Sequence, residues 1–476
     1  MNRMDGRIVI LGAGAAGLSC AYELSRRGRA STIVEKEDGA GGLARTLRIE
    51  NERGTFLTDI GPHRFFSKQR SLYDMIEGLL GRHWISVDRL THFYVDGKLY
   101  RYPLKLGETL RNIGPSLAVR ALIDFATSRA KAALSHSRPR NFEEYAIANF
   151  GATLARFNLL NYTEKIWGVP CSEISPDWAT QRITGLSVRA LVKNALTRSK
   201  GPKTLVDRFQ YPDTGAGLLY ETMLGAARKA GSRILTGTRP VRVRHESGRI
   251  REIELSDGTS MEPELAVSSI PITELATLLD PPPPSKVIDA ARRLRFRAQM
   301  HLFIMLDRER VGMDQWYYYP EARIPFGRIS EMKNFSELMC PEGTTSLTVE
   351  YFVFKDDATW RMGEGKLTDL TIDWMKRVGL DDGRGIIGTH IHREEHAYPI
   401  YELGYRRHLN VLKEWLAGLG NLITIGRPGR FRYTNQDHSI EMGLRAARSL
   451  IEGRRYDIEG VGSETEYYEK GPAGDA

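Results

Sequence analysis

Three glycines and one carboxylate near the start of the 476-residue chain have the types and spacing that bind a dinucleotide. Gly12 allows a tight turn, Gly14 lets the backbone approach a pyrophosphate, and Gly17 lets a following helix pack closely on a sheet. Glu35 follows Gly17 by eighteen residues, where a carboxylate accepts hydrogen bonds from both hydroxyls of an adenosine ribose. The spacing predicts a site for FAD or NAD rather than NADP, although a glycine pattern of this kind alone also occurs in ordinary turns.

The secondary structure predicted around these residues is a βαβ unit. Residues 8–11 form an apolar strand before the glycines, and residues 31–34 form a second strand that ends at Glu35. The helix between the two strands points its N-terminus at the phosphates, because its free N–H groups and its dipole favour an anion there. We expect cofactor contacts from the turn and from the end of the second strand, namely Gly12, Gly14, Ala15, Ala16, Gly17, Glu35 and Lys36.

A second glycine-rich turn, residues 39–42, precedes the basic side chain of Arg45. Glycines in succession let backbone N–H groups converge on a phosphate, and Arg45 would add a charge-assisted hydrogen bond of about 1.5–3 kcal/mol. A flexible loop is the alternative interpretation. The sequence G-G-x-x-x-T at residues 41–46 resembles the turn after the ribose-binding acid in two-dinucleotide-binding-domain flavoproteins, the group of amine oxidases, protoporphyrinogen oxidases, desaturases and UDP-galactopyranose mutases. This resemblance implies FAD as the cofactor, with contacts from Gly42, Leu43, Ala44 and Arg45.

Composition limits the other classes of function. The net charge is +9, but the basic residues are interleaved with acids, so the sequence predicts no nucleic-acid surface and allows anionic small substrates. The three cysteines are isolated, which indicates neither a disulfide framework nor a metal site. Because the first strand follows the start directly and no apolar run reaches about eighteen residues, we expect a cytoplasmic protein without a signal peptide or transmembrane segment.

The sequence leaves two kinds of partner open. Residues 118–134 have a helical pattern with Arg120, Arg129 and Lys131, which suits a basic amphipathic helix in weak contact with a membrane surface. An ordinary helix that faces the core fits the same pattern and is the favoured interpretation. A homodimer is also compatible with the sequence.

The fold class predicted is α/β, with a Rossmann-like FAD-binding domain built from discontinuous segments. A helical insertion and an antiparallel β-sheet substrate domain interrupt it. The predicted boundaries are 1–90, 205–280 and 385–456 for the FAD-binding domain, 91–204 for the helical insertion, 285–384 for the antiparallel sheet, and 457–476 for a C-terminal tail.

Within the flavoprotein group, the chain is most similar to the UDP-galactopyranose mutases, at ordered points along most of its length. Residues 61–66, GPHRFF, resemble that family's G-P-H-x-F-H segment beside the flavin, and residues 162–168, YTEKIWG, resemble its Y-T-E-K-Q-W-G. Arg182 is near the position of a mobile-loop arginine that grips the substrate diphosphate, although this chain is one residue longer there. Arg328 matches a second diphosphate arginine in T-R-I-x-E, and residues 426–437 align with the family's terminal G-R segment.

The resemblance implies a set of site residues. Flavin contacts are expected from Gly61, His63, Val241, Gly426, Arg427, Asn435, Asp437 and Ser439. Substrate contacts are expected from Tyr162, Trp167, Arg182, Arg328, Phe431 and Tyr433, with His63, Arg182 and Arg328 as the catalytic group. Each of these has a structural alternative, in which the histidine and the aromatic residues belong to the core and Arg182 is a solvated helix charge.

Three departures from the family pattern put the substrate in doubt. Phe66 replaces a second histidine, Phe431 stands where the family has a diphosphate-binding tyrosine, and Asn435 replaces an aspartate. The loss of one hydrogen bond between a phenol and a phosphate would weaken the free energy of substrate binding by about 1–3 kcal/mol.

Two functions stay open on the sequence. Mutases of the family use reduced flavin as a nucleophile at the anomeric carbon of a sugar, so the first function is redox-neutral pyranose/furanose isomerisation of a nucleotide- or lipid-diphosphate sugar, as in polysaccharide biosynthesis. Paired arginines would bind the diphosphate, and Tyr162 and Trp167 would stack on base and sugar. The second function is an FAD oxidoreductase or desaturase acting on an amine or apolar substrate, because the same fold carries both chemistries.

Overall fold

Five parallel strands form the sheet at the centre of the nucleotide-binding part of the molecule. The computed structural model of the protein describes residues 3–4, 7–102, 114–134, 138–182 and 208–462. The five strands, called here the nucleotide sheet, are in spatial order Arg233–Leu235, Thr32–Val34, Ile8–Leu11, Leu265–Ser268 and Leu422–Thr424. The strand Ile8–Leu11 is completely buried, as expected for a parallel sheet that is covered on both faces. The α/β fold class is confirmed.

Helices from distant parts of the sequence cover one face of this sheet. The first helix, Ala15–Arg26, packs between the last helix, Gln436–Glu452, and the helix Gly217–Lys229, which in turn contacts Arg70–Leu80. Gly443 lies at the crossing of the first and last helices, where an added Cβ would overlap the carbonyl oxygen of Ala16. The helical layer over the nucleotide sheet therefore includes helices from both ends of the chain.

Seven strands form a second sheet, called here the floor sheet. Its spatial order is Ile386–Pro399, Phe296–Leu306, Thr345–Val353, Arg328–Glu331, Trp316–Tyr318, Thr91–Val95 and Lys98–Arg101. Strict alternation assigns its side chains to two faces. One face is an apolar core that includes Met300, Leu302 and Val349, and the other carries polar groups, including Gln299, His301 and Glu350.

The floor sheet extends beyond the segment predicted for it. Thr91–Val95 and Lys98–Arg101 were expected in the helical insertion, but they form strands, and the first of them pairs with Trp316–Tyr318. Ile386–Pro399 was expected in the nucleotide-binding part, but it pairs with Phe296–Leu306 along most of its length. Thr91–Val95 and Ile386–Pro399 join the sheet by pairing with strands distant in sequence, which a local pattern does not reveal. The division into domains stays a prediction.

The remaining elements surround the two large sheets. A five-stranded sheet contains Arg3–Met4, Ser260–Met261, Arg249–Leu255, Pro240–Glu246 and Leu279–Asp280. Thr46–Asn51 and Gly54–Asp59 form a hairpin, and Trp84–Asp88 pairs antiparallel with the distant strand Arg208–Pro212. The other helices are Pro115–Leu134, Phe142–Phe150, Ala152–Leu154, Asn161–Trp167, Asp177–Arg182, Ile272–Thr277, Ser285–Arg292, Glu364–Arg377, Tyr405–Ala417 and Gly426–Gly429, with a π-helical stretch at Ala155–Leu160 and short 3-10 turns at Gly42–Ala44, Gly81–His83, Met332–Asn334 and Glu337–Met339. Across the described ranges, no helix combines the length and apolarity needed to cross a bilayer.

We expect Gly443→Ala to destabilise the fold by about 1–3 kcal/mol, because the new methyl group would force the first and last helices apart. Gly225→Ala is the matched control, since it also replaces a helical glycine but has open space around its Cβ position. The control should be neutral or stabilising by up to about 1 kcal/mol. Urea unfolding of both flavin-free variants measures the difference, and equal stabilities would show that the helix crossing tolerates a side chain.

Candidate functional site

Two glycine turns meet at the carboxyl end of the central strand Ile8–Leu11. Gly12 has a φ of +97°, and a Cβ there would overlap the hydroxyl of Ser269. The N–H of Gly41 donates to the Ala13 carbonyl over 2.8 Å, which joins the second turn to the first. Gly42 has a φ of +56°, and its Cβ would lie 3.0 Å from the Cα of Gly14. Backbone without side chains therefore lines this strand end, as the close approach of a pyrophosphate requires.

The first helix starts directly at this double turn. Ala15, Ala16 and Gly17 form its first turn, with no acidic residue that would repel an anion. Gly426 lies over this turn, since its Cβ position is 3.0 Å from the Cβ of Ala16. Small residues from both ends of the chain thus leave the helix N-terminus open to a phosphate.

Glu35 is buried at the end of the neighbouring strand. One carboxylate oxygen accepts the N–H of Ala13 over 2.6 Å, and the other accepts the N–H of Glu37 over 3.1 Å. Burial raises the pKa of Glu35, while these two hydrogen bonds oppose that rise. The side chain thereby fixes the glycine turn, and each oxygen keeps lone pairs for ribose hydroxyls. Lys36 is exposed and forms an ion pair with Glu37 at 3.6 Å.

Arg45 is buried between acidic groups of both large sheets. Its Nη1 donates to Glu37 over 3.1 Å, and its Nη2 lies 3.4 Å from His392 and 3.7 Å from Glu394. Its Nε is buried without a hydrogen-bond partner in the described parts of the chain. Arg45 therefore joins the nucleotide sheet to the floor sheet, and its predicted phosphate contact would use a guanidinium already held by carboxylates.

His63 lies in the loop between the two sheets. Its Nε2 is 2.8 Å from the Ile60 carbonyl, and its own carbonyl accepts Gln436 Nε2 over 3.1 Å. The Gln436 amide in turn accepts the Tyr220 hydroxyl over 2.7 Å, so the loop is anchored at the N-terminus of the last helix. Burial lowers the pKa of His63 to about 4, so its imidazole is neutral near pH 7.

A row of ionisable residues crosses the polar face of the floor sheet. Arg328, Glu350, His301 and His392 are directly opposite one another on four neighbouring strands. Cross-strand partners point to the same face, so the four side chains form one line beneath the loop that carries His63. This line ends at Arg45, whose Nη2 contacts His392.

The centre of the row is a bidentate ion pair between Arg328 and Glu350. Arg328 Nε and Nη2 donate to the two carboxylate oxygens, and Gln299 donates to the same carboxylate. A Cβ at Gly61 would lie 3.2 Å from this carboxylate, so the His63 loop rests on the ion pair. Burial lowers the pKa of Arg328, but the charge of Glu350 more than reverses this, and the guanidinium stays protonated.

Glu350, Gln299 and His301 lie in this row although they are not among the site residues predicted from the sequence. His301 is fully buried and both of its ring nitrogens lack a hydrogen-bond partner within the described residues. Burial lowers its pKa well below the usual value, and the charges of His392 and Arg328 act in the same direction. A signal was present, because Gln299 and His301 alternate with apolar residues along Phe296–Leu306 and so share a polar face.

Tyrosines surround the Arg328 end of the row. The positive charge of Arg328 acts on the phenols of Tyr162 and Tyr398. Burial outweighs this effect and raises both pKa values, that of Tyr398 to about 12, so both hydroxyls remain protonated donors. Tyr433 stacks on Tyr398 with ring centroids 5.9 Å apart, and Arg427 lies 4.7 Å over the Tyr433 ring. The lining combines one guanidinium with several O–H donors, which suits a multivalent oxyanion.

Trp167 and Phe431 belong to the core and do not line this site, contrary to the prediction. Each is 1% exposed. Trp167 packs edge-on against Trp178 at 4.6 Å and stacks on Tyr401, while Phe431 packs edge-on against Phe296 at 4.9 Å. Their large apolar surfaces are satisfied within the protein, so neither ring is available to a sugar or a diphosphate. The replacement of the family tyrosine by Phe431 is consistent with this apolar environment.

The described residues show no contact between the row and two other predicted residues. Arg182 ends the helix Asp177–Arg182, but its side chain lies outside the described residues. Val241 is exposed on the strand Pro240–Glu246 of the third sheet. Their predicted contacts with substrate and flavin stay predictions.

The predicted terminal segment forms the start of the last helix. Arg427 Nε donates to the Thr434 carbonyl over 2.9 Å, so this guanidinium holds the segment together. Asn435 is the N-cap residue, Asp437 is buried in the first turn, and the Ser439 hydroxyl is 3.0 Å from that of Thr434. The helix N-terminus is thus fixed beside the His63 loop, where its dipole favours a negatively charged group.

The comparisons with known proteins agree with this geometry. The family described as flavin containing amine oxidoreductase matches residues 15–451, and the chain belongs to this family. The protein is therefore a flavoenzyme with FAD as its cofactor, and the double glycine turn, Glu35 and the unpartnered buried His301 fit such a group.

Solved structures share the fold. A reduced UDP-galactopyranose mutase is 22% identical with a TM-score of 0.83, covering 98% of this chain and 99% of that chain. A putrescine oxidase bound to putrescine is 14% identical with a TM-score of 0.63, covering 94% and 100%. An L-amino acid oxidase of Bothrops pictus is 39% identical over 71 residues, which span 15% of this chain and 14% of that relative.

We expect Glu35→Ala to weaken FAD binding by about 1.5–3 kcal/mol, roughly 10- to 100-fold, because ribose hydroxyls and the glycine turn lose a charged acceptor. Glu35→Gln should lose less FAD affinity than Glu35→Ala. Asp38 is an exposed acid nearby, and Asp38→Ala should leave the FAD affinity unchanged. Flavin-fluorescence titration of each deflavinated protein measures the affinity. Unchanged binding by Glu35→Ala would remove Glu35 from the cofactor site.

His63 should make the flavin-free protein sensitive to acid. Its pKa is about 4 in the folded protein and near 6.5 in an unfolded chain, so between these values the unfolded chain binds the extra proton. Stability is therefore lost as the pH falls, by about 1–2 kcal/mol between pH 7 and pH 5 from this residue. Urea unfolding at both pH values should show a smaller loss for His63→Gln. Equal losses in both proteins would contradict a buried neutral imidazole.

Proposed function

We propose that this flavoenzyme isomerises a sugar attached to a diphosphate between pyranose and furanose forms, with reduced flavin and without net oxidation. The diphosphate belongs to a nucleotide or a lipid carrier. The full-length similarity to the reduced UDP-galactopyranose mutase supports this choice within a family whose members include oxidoreductases. The row of residues on the floor sheet provides the physical argument.

The anion-binding geometry around Arg328 carries the proposal. Glu350 engages Nε and Nη2, so Nη1 makes no hydrogen bond to any residue that the structure describes. Glu350 is fully buried, whereas the Arg328 side chain retains 16% exposure. Glu350 thus holds one side of the guanidinium, and its remaining donors lie near the phenols of Tyr162 and Tyr398. This arrangement stabilises charge that develops on a departing diphosphate.

The protein residues have binding and positioning tasks in this reaction. When bound, reduced flavin supplies the electron-rich group that attacks the anomeric carbon. Arg328 binds the diphosphate, Glu350 and Gln299 fix the orientation of Arg328, and the neutral His63 avoids a positive charge beside the sugar. Arg182 would supply the second cation of the pair. The diphosphate leaves and returns at the same carbon, while ring opening and reclosure move one proton from the hydroxyl that closes the new ring to the former ring oxygen, with no net change.

An FAD oxidase is the second candidate. The local similarity to L-amino acid oxidases supports it, since a substrate carboxylate is also an oxyanion that Arg328 and a tyrosine would bind. The two candidates differ in their use of electrons. An oxidase consumes one acceptor per turnover, whereas the isomerase keeps its flavin reduced over many turnovers.

The test is to reduce the protein anaerobically, add a panel of pyranose nucleotides that includes UDP-galactose, and search by chromatography for an isomer of identical mass. Many turnovers should follow one reduction. Because the family tyrosine is absent at Phe431, UDP-galactose itself is expected to be a poor substrate within the panel. Peroxide formed by the oxidised enzyme from amino acids or amines, with no isomer from any sugar, would replace the first candidate by the second.

Arg328→Ala should keep FAD, whose nucleotide end is bound at the glycine turn and Glu35, and lower kcat/KM by at least roughly 10- to 100-fold, because it removes a charge-assisted hydrogen bond of about 1.5–3 kcal/mol and leaves Glu350 buried without its charged partner. Arg393→Ala is the matched control, because Arg393 lies on the opposite face of the same sheet. The control should retain full activity. Loss of flavin from Arg328→Ala would assign this arginine a structural task instead.

A further inference from the structure

The helix Pro115–Leu134 presents an apolar stripe away from the protein. Val119, Leu122 and Ile123 are 56%, 52% and 57% exposed, although an amphipathic helix normally buries residues at this spacing. Ala126 and Ala130 continue the stripe and are exposed as well. We call this helix the docking helix. The sequence pattern favoured burial of this face in the core, and the described residues leave it uncovered.

The opposite side of the docking helix fixes it to the protein. Ala121 is fully buried. Asp124 accepts the hydroxyl and the N–H of Thr153, the latter over 3.3 Å. A Cβ at Gly151 would lie 2.7 Å from the Phe125 backbone nitrogen, so the two backbones are in close contact. The helix is held by this inner side and does not need its apolar stripe for packing.

Basic residues flank the stripe on both sides. An α-helix turns by about 100° per residue, so Arg120 and Lys131 lie along one edge of the stripe and Arg129 lies along the other. All three are exposed. Asp124 is the one acid in the sequence of this helix, and it points inward to Thr153. The outer surface therefore combines an apolar centre with positive edges, which is the arrangement of helices that lie in the interface of an anionic bilayer.

We propose that the docking helix lies flat on an anionic lipid surface, with Val119, Leu122 and Ile123 inserted among the acyl chains and the basic residues at the phosphate headgroups. A second copy of the chain fits this surface less well. Two-fold pairing of this stripe would bring its basic edges, and therefore like charges, together. The inference does not depend on the proposed reaction.

Vesicle flotation of the full chain tests the proposal. The protein should float with vesicles of phosphatidylcholine and about one-third phosphatidylglycerol, and less with phosphatidylcholine alone. Leu122→Glu combined with Ile123→Glu should lower vesicle binding at least about tenfold, because two charges replace inserted apolar groups. Leu338→Glu is the control for an exposed leucine elsewhere, at 58% exposure, and should bind as the parent chain does.

A second pair of variants tests the charges. Arg120→Gln with Lys131→Gln should weaken binding to the anionic vesicles about fivefold per charge removed. Arg228→Gln with Lys229→Gln removes the same net charge from another exposed helix end and should have little effect.

Three results would overturn the proposal. The first is failure of the parent chain to float with anionic vesicles, and the second is equal flotation of the Leu122→Glu, Ile123→Glu variant. The third is a dimer in light scattering that this variant dissociates, without vesicle binding by either protein, which would assign the stripe to a second copy. Circular dichroism confirms that each variant is folded.

Discussion

The buried ion pair between Arg328 and Glu350 is the interaction on which the candidate site depends. A carboxylate without solvent exposure requires a charged partner, and the bidentate geometry with Gln299 provides it within one sheet face. Removing either charge would leave the other buried and unpaired. The pair also affects what lies above it, because the Gly61 backbone has a φ of +84° and a Cβ there would lie 3.2 Å from the carboxylate, which disfavours a side chain. Glu350 therefore fixes both the position of the His63 loop and the orientation of Arg328.

The same constraint joins the two halves of the molecule. The loop that rests on Glu350 carries His63 and is anchored to the last helix through Gln436, and that helix crosses the first helix of the nucleotide-binding part. Arg45 makes a second connection, from the glycine turn to His392 and Glu394 on the floor sheet. A cofactor that spans from the glycine turn to the His63 loop would therefore lie along the line of ionisable residues, in an environment set by neutral histidines and paired charges.

Arg328 and the phenols around it indicate the chemical class of the ligand but not its identity. A guanidinium with O–H donors recognises an oxyanion, whether diphosphate or carboxylate. What distinguishes the isomerase from the oxidase is the fate of electrons, which side-chain geometry does not encode. Trp167 illustrates a related point, because its sequence motif resembles that of the mutases although the ring itself packs in the aromatic core.

Local residue patterns predicted the dinucleotide turn, the acid at the second strand and the α/β class, because backbone requirements fix glycines and strand ends within short segments. FAD was implied by the resemblance of the second glycine turn to known flavoproteins. Arg328 and His63 were selected from motifs, and their roles in the site stay predictions. The folded structure alone shows that Glu350, Gln299 and His301 share a face, that Phe431 is buried, and that residues 91–101 and 386–399 contain strands of the floor sheet. These facts depend on packing and strand pairing between segments separated in the sequence, which are stabilised by burial of whole faces that no local pattern contains.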